Sequence, residues 1–162
     1  METWKVGRRQ ALKVLGAAAV AFGGPALLVR GAVAQQQAMA WNKDAFAAQS
    51  VADVLKALGA GSPAATQDVS WGATPAIAEN GAVVPVNVTS KIPDTESIAI
   101  IIEKNPNKLA GNFFFPEGTE PALATRVKMS ESSNVHAVVR TKSGKAFMAT
   151  REIKVTLGGC GG

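Results

Sequence analysis

The sequence predicts an all-β sandwich preceded by a short N-terminal amphipathic helix and followed by a flexible C-terminal glycine arm. Three observations carry this. Trp41 to Leu58 is apolar at helical spacing, and from residue 66 onward short β-rich runs alternate with Gly, Pro, Asn and Asp at intervals of about eight to twelve residues. The chain then closes on Gly158-Gly159-Cys160-Gly161-Gly162. At 162 residues it is long enough for one ordinary domain.

In the helical segment, Ala47, Val51, Val54, Leu55 and Leu58 share one face, which packs on the domain. Asn42 supplies an N-cap and Asp44 an acidic first turn, while Gly59, Gly61 and Pro63 end the pattern. The β-rich runs are Asp68 to Trp71, Val83 to Thr89, Ser97 to Glu103, Asn112 to Phe115, Ala124 to Met129, Asn134 to Thr141, Ala146 to Arg151 and Ile153 to Leu157. Val84, Val86 and Val88 alternate with Pro85, Asn87 and Thr89, so one face of that strand is buried and the other wet. Pro85 donates no ladder hydrogen bond, which implies an edge or a bulge. Ile98 to Ile102 is apolar on both faces, as in a central strand or one covered by a partner subunit. Phe113-Phe114-Phe115 must point to both faces and leaves one ring exposed in a small monomer. Trp41 and Trp71 read as core anchors.

The first 34 residues read as a cleaved leader. A basic n-region precedes the apolar run Val14 to Val29, and Ala32-Val33-Ala34 is a small-residue cleavage motif, with cleavage between Ala34 and Gln35. Gly7-Arg8-Arg9-Gln10-Ala11-Leu12-Lys13 resembles the twin-arginine signal, which makes Arg8 and Arg9 the export determinants and the periplasm the destination. The apolar run of 16 residues, broken by Gly23-Gly24-Pro25, is shorter than the ~20 residues of a spanning helix, so no membrane anchor is expected. The leader also explains the charge: residues 1 to 34 hold +4 of the chain's net +5, leaving +1 for the rest. No basic stripe remains to track a phosphate backbone, so nucleic acid is not expected as a partner.

Inventory removes most catalytic chemistries. His136, the only histidine, lies in a β run and reads as a hydrogen-bonded strand residue. One His and one Cys cannot build the usual four-ligand zinc site, and neither a Walker loop nor a GxGxxG turn is present. Glu117 and Glu120 read as turn residues. The reading is therefore no catalytic residues, no metal and no cofactor held by this chain. One residue, Cys160, is left to carry chemistry. A single cysteine in an exported protein has no internal disulfide partner, and four flanking glycines offer it nothing to be buried against. It reads as an exposed thiol that carries something, with Gly158, Gly159, Gly161 and Gly162 as its swinging arm. Counted from Gly158, that arm reaches on the order of 10 Å past the last strand. Two other readings stand beside a carrier: a thiol redox protein acting through an intermolecular disulfide, and an adhesion or chaperone-like sandwich with an incidental thiol. The first lacks a resolving cysteine.

Taken together, the twin-arginine leader, the helix-then-sandwich order, Ile77-Ala78-Glu79-Asn80-Gly81-Ala82-Val83-Val84-Pro85-Val86, Glu96-Ser97-Ile98-Ala99-Ile100 with Glu103-Lys104-Asn105-Pro106, and the terminal pentapeptide resemble the SoxY family. These are the sulfur-carrier subunits of the bacterial thiosulfate-oxidising Sox system. The resemblance implies an immunoglobulin-like fold, a heterodimer with SoxZ and covalent sulfur intermediates on Cys160. It also implies three partner enzymes: the c-type cytochrome SoxXA for loading, the manganese hydrolase SoxB for releasing sulfate and, where present, the molybdenum and haem enzyme SoxCD. The expected division is a leader over 1–34, a helix-plus-sandwich carrier domain over 35–157 and the arm over 158–162.

Overall fold

A computed structural model of the chain describes residues 41–159. The expected export and cleavage positions Arg8, Arg9, Ala34 and Gln35, and the last residues Cys160, Gly161 and Gly162, lie outside the described residues.

The expected single helix is two. α1 (Lys43–Ala47) and α2 (Val51–Ala57) are separated at Ala48, whose backbone is extended. The reason is a second N-cap: Ser50 Oγ accepts the Asp53 N–H at 3.1 Å and donates to Asp53 Oδ2 at 2.6 Å, a local bonding pattern that competes with a continuous helix. The first cap is as expected, with Asn42 Oδ1 accepting from Ala45 N–H at 3.0 Å. Gly59 ends α2 at φ 67°, a conformation that costs glycine little.

Nine strands come after the helices: β1 (Ala64–Ala65), β2 (Val69–Ser70), β3 (Ile77–Asn80), β4 (Val84–Ser90), β5 (Thr95–Ile102), β6 (Leu109–Phe114), β7 (Ala122–Val127), β8 (Ser133–Thr141) and β9 (Ala146–Leu157). One sheet has the order β1-β9-β8-β5-β6, with β3 also on β9, and the other the order β2-β4-β7. The two pack as a sandwich. Val84, Val86 and Val88 of β4 meet Ile98, Ile100 and Ile102 of β5 and Val135, Ala137 and Val139 of β8 in the main core. The opposite face of the larger sheet, through Ala99, Ile101, Leu109 and Val138, is covered by Val54, Leu55 and Leu58 of the helical layer. The two-faced apolar character of β5 is thus that of a central strand roofed by the chain's own helices. Arg140 ties this layer down, donating to the Leu58 carbonyl at 2.8 Å and to Glu96 at 2.9 Å.

Several elements differ from the sequence reading for identifiable reasons. The runs Ala146 to Arg151 and Ile153 to Leu157 are one strand of 12 residues, because Arg151-Glu152 interrupts the apolar composition without breaking the period of two. β1 and β3 are absent from the sequence reading; both are short parallel pairings with β9, and neither Ala-Ala nor Ile-Ala-Glu-Asn shows β-type alternation of bulky residues. Pro85 occupies a local edge. β2 pairs with β4 only at Thr89 and Ser90, and on that open side the Asn87 N–H is met by the Thr74 hydroxyl at 2.8 Å. Pro85 faces the same side, where a missing N–H leaves no gap in the β4·β7 ladder. Trp41 is not a core anchor: it is 74% exposed and makes a T-shaped ring contact with Phe46, whereas Trp71 packs on the main core. Of the three phenylalanines, Phe113 and Phe115 pack inward and Phe114 is exposed.

Candidate functional site

Gly158 and Gly159 follow directly on β9, and their surroundings are set by three other segments. β3 runs parallel to the end of β9, with Ala78 opposite Val155 and Asn80 opposite Leu157. The pairing continues past the strand, since Gly81 N–H donates to the Leu157 carbonyl at 2.8 Å. Met129 then bridges both chain segments. Its N–H donates to the Gly81 carbonyl at 2.7 Å, and its carbonyl accepts the Gly159 N–H at 2.8 Å. Because the Met129 side chain is fully buried in the main core, this bridge is tied to the sandwich interior.

Asn105 holds Met129 from either side. Its Nδ2 donates to the Lys128 carbonyl at 2.7 Å and its Oδ1 accepts the Ser130 N–H at 2.9 Å, so one side-chain amide reads the backbone before and after Met129. Asn80 does a smaller version of the same work, accepting the Ala82 N–H at 2.8 Å.

The segments approach so closely that only glycine fits. A Cβ on Gly81 would overlap the Met129 carbonyl and lie 2.7 Å from Gly159 N and 2.8 Å from Val155 Cγ1. On Gly159 it would overlap the Gly81 carbonyl and lie 2.7 Å from Ala82 N, and on Gly158 it would overlap the Ser130 carbonyl. Most of these neighbours are backbone atoms, which cannot swing aside as a long side chain would. Leu157, one residue before this crossing, is 60% exposed, so the crossing sits at the surface.

Gly158 and Gly159 are therefore seated on the domain and do not stand clear of it. Gly81, Asn105 and Met129 were not singled out from the sequence as site residues. The available signal was that Gly81 and Asn105 both fall in the stretches quoted for the family resemblance, which meet in space at the base of the arm.

A family model described as sulfur oxidation protein SoxY matches residues 55–160. Among solved structures, the sulfur carrier protein SoxY from Chlorobium limicola f thiosulfatophilum aligns with a TM-score of 0.60 and 32% sequence identity, over 71% of this chain and 99% of that one. This chain belongs to the SoxY family. Superoxide reductase (neelaredoxin) from Ignicoccus hospitalis aligns with a TM-score of 0.45 and 20% identity, covering 56% of this chain and 81% of that one. The fibronectin(III)-like modules of Clostridium thermocellum align with a TM-score of 0.39 and 16% identity, covering 54% and 93%. The comparison with curated proteins gives no match.

In this SoxY domain His136 is a strand residue remote in sequence from the arm. It pairs with Thr150 across β8 and β9, with Nδ1 2.8 Å from Thr150 Oγ1 and Nε2 3.9 Å from Glu103 Oε2. Burial holds its pKa below the ordinary 6.5, with the Glu103 carboxylate working in the opposite direction. Among the described residues no group of three or more His, Cys, Asp or Glu is arranged to hold a metal ion. Glu117 lies in the Pro116–Thr119 turn and pairs with Lys142 at 3.4 Å, an exposed contact of little energetic weight.

Proposed function

We propose that this chain is a periplasmic sulfur carrier, exported by the twin-arginine route, whose Cys160 covalently holds thiosulfate-derived intermediates and presents them to partner enzymes. The observation that carries this reading is that the match to the SoxY family model runs through the chain's single cysteine, Cys160, as its last position. A thiol there has glycine on both sides and no core to enter. On this reading thiolate formation and electron removal are assigned to the partner enzymes of the Sox system.

In the loading step the Cys160 thiol loses its proton and its sulfur bonds to the outer sulfur of thiosulfate. Two electrons leave to a c-type cytochrome partner of the SoxXA kind, and the product is a cysteine S-thiosulfonate. Water then attacks the terminal sulfonate at a manganese hydrolase of the SoxB kind, the bond between the two outer sulfurs breaks, and sulfate and two protons depart. A persulfide remains on Cys160. A SoxCD-type enzyme oxidises it where such an enzyme is present, and a SoxZ-like subunit completes the carrier as a heterodimer. The carrier acts as a scaffold and handle, and all cofactors belong to its partners.

The test is the intact mass of mature protein purified from thiosulfate-grown cells. A carrier shows sulfur-containing adducts that map to Cys160 and vanish on reduction. A mass limited to the unmodified chain or a plain mixed disulfide would return the function to the thiol-redox alternative.

A further inference from the structure

We infer that Gly81 and Asn105 are positioning residues for the carrier cysteine, seating Gly159 on the Met129 backbone so that Cys160 leaves the domain from a fixed point. This rests on the carrier reading above. Asn105 fixes the backbone on both sides of Met129, and Met129 is anchored in the core by its buried side chain. The Met129 carbonyl then accepts the Gly159 N–H, while Gly81, bonded to Met129 and to Leu157, packs against Gly159 without a side chain between them. Three other chain segments, at Gly81, Asn105 and Met129, are spent on the last residues before the cysteine. A tail that needed only freedom would require none of them.

Seating has a measurable consequence. Cys160 Cα lies one peptide, ~3.8 Å, from Gly159 Cα, and its side chain adds about 3 Å, so the sulfur stays within ~7 Å of the seat. Releasing Gly158 and Gly159 adds about 3.5 Å per residue and roughly doubles that radius. The volume open to the sulfur then grows about eightfold, and its effective concentration at a partner's reaction centre falls by the same factor. The seat therefore acts on the rate within the complex. It leaves intrinsic thiol reactivity and the affinity of the two bodies unchanged.

The test uses the mature full-length protein with its SoxZ-like partner, in wild-type form and as Gly81→Ala, Asn105→Ala and Gly61→Ala. Gly61 has no atom within 4 Å of a built Cβ and no positive φ, so it serves as the silent glycine control. Amide hydrogen exchange reads the seat directly. The Gly159 amide should be protected in wild type and in Gly61→Ala, and should exchange ~10-fold faster or more in the other two variants. Thiosulfate loading by the cytochrome partner, with carrier concentration varied, reads its use. Both seat variants should lose about tenfold in kcat at unchanged KM, and alkylation of Cys160 by iodoacetamide should not slow. Mere destabilisation would instead raise the apparent KM by lowering the folded fraction.

Asn105 is partly exposed, so its variant keeps the test available should Gly81→Ala fail to fold. An unprotected Gly159 amide in wild type overturns the inference, as does full kcat in a variant whose Gly159 protection is lost. If wild type itself is never loaded while Gly159 is protected, it is the carrier reading that fails, and the seat remains as a structural fact without that use.

Discussion

Valine placed at the two glycines flanking Cys160 should produce two different failures, and the contrast tests how the thiol is used. At Gly159 the first atom of the new side chain overlaps the Gly81 carbonyl and lies 2.7 Å from Ala82 N. The segment must lift, losing the 2.8 Å hydrogen bond from Gly159 N–H to the Met129 carbonyl. One such bond is worth about 1 kcal/mol net, and an unmet carbonyl at a half-open site adds up to about 1 kcal/mol more. For a domain of this size each kcal/mol shifts Tm by roughly 3–6 °C, so Gly159→Val should melt several degrees early. Gly161 comes after the cysteine, beyond the last seated residue. Gly161→Val should leave Tm within about 1 °C of wild type while adding bulk and φ/ψ stiffness next to the sulfur.

The assay pairs three readouts on each variant: Tm, the labelling rate of Cys160 with a small alkylator, and turnover with purified partner enzymes. If partners receive the thiol through a narrow channel, Gly161→Val abolishes turnover at unchanged Tm and unchanged labelling. Gly159→Val loses turnover together with stability. Wild-type turnover from Gly161→Val would refute insertion through a narrow channel and leave the glycines after the cysteine without a steric role.

The same architecture sets further outcomes. Cys160→Ser should keep the wild-type Tm, since it exchanges one small side chain for another between glycines, and should abolish thiosulfate adducts; adducts on the serine variant, seen by mass spectrometry, would place the attachment elsewhere. Arg8→Lys with Arg9→Lys should block export, and terminal sequencing of periplasmic protein should begin at Gln35; a mature chain retaining residues 14–29 in the membrane would contradict a soluble carrier. Burial lowers the His136 pKa, so the unfolded chain binds its proton more readily than the folded one. Its contribution to stability is complete above pH 6.5 and is lost as pH falls through 6.5 toward the folded value, by at most about 1.4 kcal/mol per pH unit for one proton. Chemical denaturation of His136→Gln across pH 5 to 8 should show a flatter slope than wild type over that window.

The parts of the fold that were legible in the sequence are those encoded by a period. Val84, Val86 and Val88 announce a one-sided strand, and Ile98 to Ile102 a two-sided one, because burial of alternate or successive residues leaves a direct compositional trace. The boundary between α1 and α2 left a weaker trace. Ser50 and Asp53 form a capping pair inside an otherwise helical pattern, and that local bonding outweighed the apolar periodicity running through it. β1 and β3 left almost none, because each exists only by virtue of its parallel partner β9, distant in sequence. Local propensity cannot report a pairing whose other half is some seventy or more residues away.

The same limit explains how the site was read. Cys160 stands out in the sequence because its signal is chemical and local: one thiol among four glycines. Its seat does not, since Gly81, Asn105 and Met129 act largely on backbone atoms that every residue possesses. Glycine has two physical uses around this cysteine, and sequence alone does not separate them. At Gly81, Gly158 and Gly159 the absent side chain lets backbones touch, so there glycine confers fixity. At Gly161 and Gly162, under the proposed carrier function, the absent side chain keeps bulk away from the sulfur, so there glycine confers access. Under the proposed carrier function, a symmetric pentapeptide serves an asymmetric purpose, seated on the domain at Gly158 and Gly159 and bare on the side offered to a partner. For a carrier this division is the favourable one: a seated base keeps the thiol concentrated near a docked enzyme, and a bare tip lets it enter.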